Sequence, residues 1–399
     1  MLKGLFLKLL CGLIKKAKIK FKIIVMNKKN VILIMIDGGR LDYALDSELF
    51  SKIRSKSVFL SQSITYGPHT IAAMHAVFSG SYGSRTGTNS YWSTFKFKKN
   101  QFKTITEYLH ENNYYTQADV INQLIIPKQG FDEFVVHDED NDDLTKRHKE
   151  ILNSLASSSN QKNFFVYLHF SNIHTGIKNE VLNVYGNHSK EFFKNTHENK
   201  KRYDRLFKKS ENYLESILDE IKKLQLDQNS LILIMSDHGV STGERLGEHA
   251  YGAFCYDYTL RTFTYFLAND LPPIEIKQQT RTIDFTPTIL DYLKIPNDKN
   301  YSSFDGISLL PLMNGETLPE NYAFTETGNP LYEKSPPKEP NVKSIRSSKW
   351  KLIFNEYDNS KELYNLELDP DEKNNLINTG ESMEESLWNE LTALINKHD

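Results

Sequence analysis

Three apolar runs, far apart in the chain and each ending in a chemically capable side chain, constrain the fold more than any other feature. Val31-Ile32-Leu33-Ile34-Met35-Ile36 runs into Asp37, Phe164-Phe165-Val166-Tyr167-Leu168 into His169, and Leu231-Ile232-Leu233-Ile234-Met235 into Ser236-Asp237-His238. Continuous apolar runs, unlike alternating ones, suit strands buried on both faces, and such strands belong to parallel sheets covered by helices. A further strand is expected near Phe263 to Leu267. Between the runs, Lys103 to Asn112 and Arg205 to Leu224 repeat apolar residues at three- and four-residue spacing, the period of an amphipathic helix. The expected fold is therefore α/β, with a mostly parallel central sheet and helices on both faces. Ligands of open sheets bind outside the carboxyl ends of the strands, so Asp37, His169, His174, Asp237 and His238 are expected to converge.

The tail changes character. From about Gly315 it is turn-rich, with Pro330, Pro336, Pro337 and Pro340, followed by strand-like pieces at Val342 to Ile345 and Trp350 to Asn355 and a helix-like stretch at Glu381 to Lys397. A small C-terminal α+β subdomain is expected, dividing the chain into 1–26, 27–315 and 316–399. Across 399 residues, 49 Lys+Arg face 51 Asp+Glu, for a net charge of −2, so a large uniformly basic surface is excluded and no nucleic-acid partner is expected. Two cysteines, Cys11 and Cys255, exclude a disulfide framework and a cysteine zinc site.

Residues 1–26 stand apart. Lys3, Lys8, Lys15, Lys16, Lys18, Lys20 and Lys22 alternate with Leu2, Leu5, Phe6, Leu9, Leu10, Leu13 and Ile14, without an acidic residue. This basic amphipathic segment reads as a peripheral contact with an anionic membrane surface, as a signal peptide lacking a small-residue cleavage site, or as a stretch preceding a true start at Met26. Cytoplasmic and membrane-associated locations both stay open.

Oxygen and imidazole ligands on separate strand ends are what a divalent cation needs, and Asp37, Asp237 and His238 supply them. Thr70 opens a helical stretch, where backbone N–H groups and the helix dipole suit a tetrahedral anion. The plainer reading is that Thr70 only caps that helix.

With these residues in view, the chain resembles the sulfatase branch of the alkaline-phosphatase-like superfamily over nearly all of residues 30–378. The resemblance is carried, in order, by Asp37-Gly38-Gly39-Arg40, Ser79-Gly80 with Arg85-Thr86-Gly87, Ile173-His174-Thr175-Gly176, Ser236-Asp237-His238-Gly239, Gly247-Glu248-His249, Asp284 to Thr288, Asp305 to Leu309, and Glu362 to Leu366 leading to Asp369-Pro370. It places the family's nucleophile at Thr70, where sulfatases carry a Cys or Ser within C/S-x-P-S-R. Here the stretch is Thr70-Ile71-Ala72-Ala73-Met74. A threonine would oxidise to a ketone, not to the aldehyde that sulfatases hydrate, so the formylglycine mechanism is disfavoured. Gly38 stands where many sulfatases have a second calcium-binding Asp, Asp119 to Asn122 stand near the sulfate-clamping Lys and His, and no Lys lies between His249 and Leu260. Thr nucleophiles occur in the phosphodiesterase and phosphoethanolamine-transferase relatives.

The resemblance implies one divalent ion, Zn, Mn or Ca, held by Asp37, Thr70, Asp237 and His238, with room for a second. Thr70 would attack a phosphate or phosphonate ester, and the covalent Thr ester would pass to water or to an acceptor alcohol. His174 and His249 would bind the transferred group, protonate the leaving group or hold a second ion. His169 ranks lower, because Phe170 occupies the position where the two-metal phosphodiesterases carry an Asp. The expected partner is an anionic ester, such as one on a glycan or lipid headgroup. Two alternatives remain: a true sulfuric ester hydrolase, and an inactive sulfatase-like protein that binds anions.

Overall fold

A computed structural model describes residues 29–158, 162–186, 190–331 and 335–398. The membrane-surface, signal-peptide and alternative-start readings of the amino-terminal segment fall outside the described residues. Among those described, no helix is long and apolar enough to cross a membrane.

The central sheet has eight strands: β1 (Asn30–Ile36), β2 (Val58–Leu60), β3 (Tyr115–Val120), β4 (Glu133–Val136), β5 (Phe164–Phe170), β6 (Ser230–Ser236), β7 (Thr264–Leu267) and β8 (Ile274–Ile276). Their spatial order is β8-β2-β7-β6-β1-β5-β3-β4. Only β7 runs against its neighbours, so the sheet is parallel apart from one strand. The three apolar runs form its three central strands. Ile36 pairs with Ser236 on one side and with Phe170 on the other, which brings Asp37, Asp237 and Ser171 to one level at the carboxyl edge.

Each face of the sheet is covered by helices. On one face, Ile32, Ile34, Val166, Leu168 and Ile234 pack with Leu152, Leu206, Leu214 and Ile217. On the other, Val31, Leu33, Met35, Phe165 and Met235 pack with Met74, Phe78, Leu109 and Ile289. The helices concerned are α1 (Thr70–Ser79), α2 (Ile105–Glu111), α3 (Leu144–Ser158), α4 (Asn172–Ile177), α5 (Thr196–Lys223) and α6 (Phe285–Tyr292). The helix expected from Arg205 begins earlier, at Thr196, because the polar first turns of α5 are held by contacts such as Asn199 Nδ2 donating to the Phe192 and Thr242 carbonyls.

A second, antiparallel sheet holds β9 (Ala323–Thr327), β10 (Val342–Arg346), β11 (Trp350–Asn355) and β12 (Ser360–Asn365), and a terminal helix, α7 (Met383–His398), follows. Leu387 and Leu391 of α7 lie with Ile345, Leu352 and Leu363 in one buried cluster, which also takes in Ala72 and Ala76 of α1. Helix α1 is thus buried on two sides, with Met74, Val77 and Phe78 toward the central sheet and its alanines toward the second sheet. Small residues on that second side let the two layers approach closely. Gly80 ends the helix at φ +62, and a Cβ there would lie 2.9 Å from Phe304 Cδ1.

Candidate active site

The carboxyl edge of the central sheet brings together Asp37, Thr70, His169, Asp237 and His238, all buried. Thr70 arrives from outside the sheet as the first residue of α1. It is preceded by the cap residue His69, whose Nδ1 accepts from Ala72 N at 3.4 Å. The capping role open to Thr70 in the sequence thus falls to His69, and the Thr70 hydroxyl is left to face the carboxylates. It donates to Asp37 Oδ2 at 3.3 Å and lies 3.4 Å from His238 Nε2.

The protonation of His238 follows from its partners. Its Nδ1 lies 2.8 Å from the Gly239 carbonyl, which can only accept, so the proton sits on Nδ1 and the Nε2 lone pair faces inward. There it meets Asp237 Oδ2 at 3.4 Å and Asp37 Oδ1 at 3.7 Å. Neither of these oxygens has a hydrogen-bond partner. Two unpartnered carboxylate oxygens and an imidazole lone pair, which the Thr70 hydroxyl approaches only to 3.4 Å, therefore converge, an arrangement that a cation standing among them would relieve. The chosen atoms of Asp37, Asp237 and His238 all lie within 4.8 Å of one another. The remaining oxygen of Asp237 is occupied, accepting from Gly38 N at 3.1 Å and His238 N at 2.9 Å.

The charges are consistent with this. Burial alone would raise the Asp37 carboxyl, but His174, His169 and His238 outweigh it and hold Asp37 below the usual carboxylate range. Asp237 is pushed up, by burial first and then by the neighbouring Asp37. Burial and then His238 press His69 down to about 3, which keeps it neutral. Gly38, the departure beside Asp37, has a local cause. Its φ is +73, and a Cβ would lie 3.0 Å from Val240 Cγ2, so this turn disfavours a second aspartate.

His169 makes a close side-chain contact to Asp37, Nε2 to Oδ2 at 3.0 Å, although the sequence ranks it lower. His174, half-buried on α4, sits farther out, with Nδ1 3.7 Å from Asp37 Oδ2 and 3.1 Å from the Tyr251 hydroxyl. His249 lies in the wall of an adjoining cavity of about 490 Å³, beside Tyr251, Tyr91 and Trp92, and its ring meets Phe192 edge-on at 6.2 Å. Tyr251 links cavity and site, its ring centroid 4.5 Å from that of His238, and Tyr91 stacks on His69 at 4.2 Å. The sequence did not single out either tyrosine, since nothing in its spacing separates them from the chain's other aromatics. Arg85 and Asp284, from motif blocks, serve as braces, pairing with Asp305 at 2.6 Å and Arg281 at 2.7 Å.

Residues 29–295 match the family model described as Sulfatase, and residues 250–397 match that described as N-sulphoglucosamine sulphohydrolase, C-terminal. Choline-sulfatase of Rhizobium meliloti (strain 1021) is 29% identical over 189 residues, 45% of this chain and 34% of that protein. The match thus spans about a third of that relative's length. Among solved structures, a 2-O GAG sulfatase superposes with a TM-score of 0.72 at 18% identity, covering 93% of this chain and 92% of the other. The phosphonate monoester hydrolase of Silicibacter pomeroyi gives 0.69 at 16% identity, covering 93% and 95%. At these identities the superpositions speak to the fold.

Proposed function

The chain belongs to the sulfatase family, and on that premise we propose that it is a metal-dependent hydrolase that cleaves a phosphate or phosphonate ester through a covalent Thr70 ester. The family is one of ester hydrolases that use a divalent metal ion. The observation that carries the finer reading is the Thr70 hydroxyl, directed at Asp37 Oδ2 beside the inward lone pair of His238. The cluster of Asp37 Oδ1, Asp237 Oδ2 and His238 Nε2 fits a divalent cation, with Thr70 Oγ1 completing the set. Such an ion supplies positive charge that lowers the pKa of an adjacent hydroxyl and stabilises charge on the ester oxygens.

Around it the side chains divide the work. Asp37 takes the proton from Thr70, and Thr70 Oγ1 forms the new bond to phosphorus as the bond to the departing alkoxide breaks. His174 gives that alkoxide its proton, held in place by the Tyr251 hydroxyl. Water, entering through the cavity beside His249, then gives a proton to His174 and bonds to phosphorus as the bond to Thr70 Oγ1 breaks, and Asp37 returns the first proton to that oxygen. His169, its Nε2–H on Asp37, keeps that carboxylate turned toward Thr70. The substrate is an anionic ester whose alcohol portion occupies the aromatic-walled cavity.

A second reading, sulfuric ester hydrolysis through the same threonine, is favoured by the C-terminal match to a sulphohydrolase model. One experiment covers both: a panel of nitrophenyl sulfate, phosphate monoester, phosphate diester and phosphonate ester, each with Zn, Mn and Ca. Diester or phosphonate turnover in the parent, absent in Thr70→Ala, is expected. Equal turnover by parent and variant would sink the nucleophile assignment, and a preference for the sulfate would favour the second reading.

A further inference from the structure

We propose that Asp119, His137 and His148 form a second buried site, for a divalent cation of zinc type, that shares no residue with the Asp37 group. Asp119 lies near the carboxyl end of β3, His137 directly follows β4, and His148 comes from α3. All three are buried, and one donor atom from each lies within 4.8 Å of the others. His137 Nδ1 is 2.5 Å and His148 Nε2 3.5 Å from the same oxygen, Asp119 Oδ1. His148 Nε2 is fully buried and aimed at that oxygen across 3.5 Å, the outer limit of a hydrogen bond. A plain hydrogen-bonded triad serves this atom only at that long distance, whereas a bound ion would use it fully.

The outward nitrogens carry the argument further. His148 Nδ1 lies 2.6 Å from the Tyr213 hydroxyl, and His137 Nε2 lies 3.1 Å from Ser171 Oγ. A hydroxyl accepts as readily as it donates, so each imidazole can hold its proton outward and turn its lone pair inward. For His137 this moves one proton from Nδ1 to Nε2, with no net gain or loss. Metal-bound histidines are oriented by outer partners of this kind. Arg147 Nε holds the other carboxylate oxygen, Asp119 Oδ2, at 2.5 Å and leaves Oδ1 as the ligand atom. Two imidazoles and one carboxylate suit zinc better than calcium or magnesium, which prefer all-oxygen shells. A surface cavity of about 540 Å³, lined by Asp119, Arg147, Glu133 and Glu150, adjoins the cluster on its Asp119 side, and its two glutamates attract cations. The ion would tie α3 to the sheet and, through Ser171, steady the start of the helix bearing His174.

The test uses untagged full-length Asp37→Asn/Asp237→Asn protein, stripped with a chelator, loaded with zinc, desalted and analysed for metal. One zinc per chain is expected, and cobalt loading should give the intense visible absorption of a tetrahedral site. Adding His148→Gln, or separately Asp119→Asn, should lower retained zinc at least tenfold and abolish the cobalt band, with the far-UV circular dichroism unchanged. No retained zinc in the double variant overturns the proposal, even if the further variants fail to fold. Zinc and cobalt signals that survive His148→Gln overturn it as well. The double variant is catalytically disabled on the reading above whatever its zinc content, so the two proposals fail separately.

Discussion

His169 Nε2 lies 3.0 Å from Asp37 Oδ2, the oxygen that also accepts from the Thr70 hydroxyl. One carboxylate oxygen therefore serves two donors, while Oδ1 of the same residue faces the proposed cation position. Burial presses the His169 imidazole toward its neutral form, so it acts here as an N–H donor. Removing it frees the carboxylate to rotate.

Accordingly, His169→Ala should lower kcat/KM or metal affinity by roughly 10- to 100-fold, the usual cost of losing a partner behind a metal ligand. His169→Gln, which keeps an N–H donor, should recover part of the loss. Metal titration alongside steady-state kinetics checks this, and parent-like values in His169→Ala would show that Asp37 is held by its other contacts.

Restoring the family's second aspartate should harm this chain. Gly38→Asp forces an L side chain into φ +73 against Val240, a strain of about 1–3 kcal/mol. Urea unfolding should show a loss of that order. A variant as stable as the parent would mean that the turn relaxes.

Stability should depend on pH through Glu326. Burial raises this carboxyl to about 7, opposed by the hydrogen bond from Tyr66 and by Lys343. Because the folded value exceeds the unfolded one, the contribution is complete below about pH 4.5 and is lost as pH rises through about 7, amounting to roughly 3 kcal/mol at full extent. Glu326→Gln should therefore flatten the fall in unfolding free energy between pH 5 and pH 8. Parallel curves for parent and variant would contradict the assignment.

Leu391 is fully buried where α7 meets the second sheet. Leu391→Ala should cost about 2–5 kcal/mol, read by thermal or urea unfolding. A loss below 1 kcal/mol would mean that α7 is only loosely docked.

The central strands and the convergence of Asp37, Asp237 and His238 were legible in the sequence because the apolar runs deliver these residues to the same sheet edge, whereas Thr70, outside the sheet, was reached through the order of the family's motif blocks. What stayed hidden depends on register or on distant burial. Asp119 and His137 meet because β3 pairs Val120 with Val136, and His148 joins them from the helix beyond, so no spacing in the chain announces the trio. Strands β9 and β12, with sequences AFTET and SKELYN, carry too few apolar residues to be read as strands and are stabilised by the neighbours they pair with. His169 was ranked low by a motif comparison, which scored the residue beside it and could not weigh its reach to Asp37.

The two-sided burial of α1 has a temporal consequence. While the chain is being synthesised, the central strands can pair before β9 to β12 and α7 leave the ribosome, but the layer against Ala72 and Ala76 does not yet exist. The helix that carries the threonine gains the second of its two supporting layers only when the last fifth of the chain, from Ala323 onward, docks. A nascent or carboxyl-terminally clipped molecule would therefore hold Asp37, Asp237 and His238 at the sheet edge with only one side of that helix packed, which ties the support of the Thr70 hydroxyl to completion of the fold.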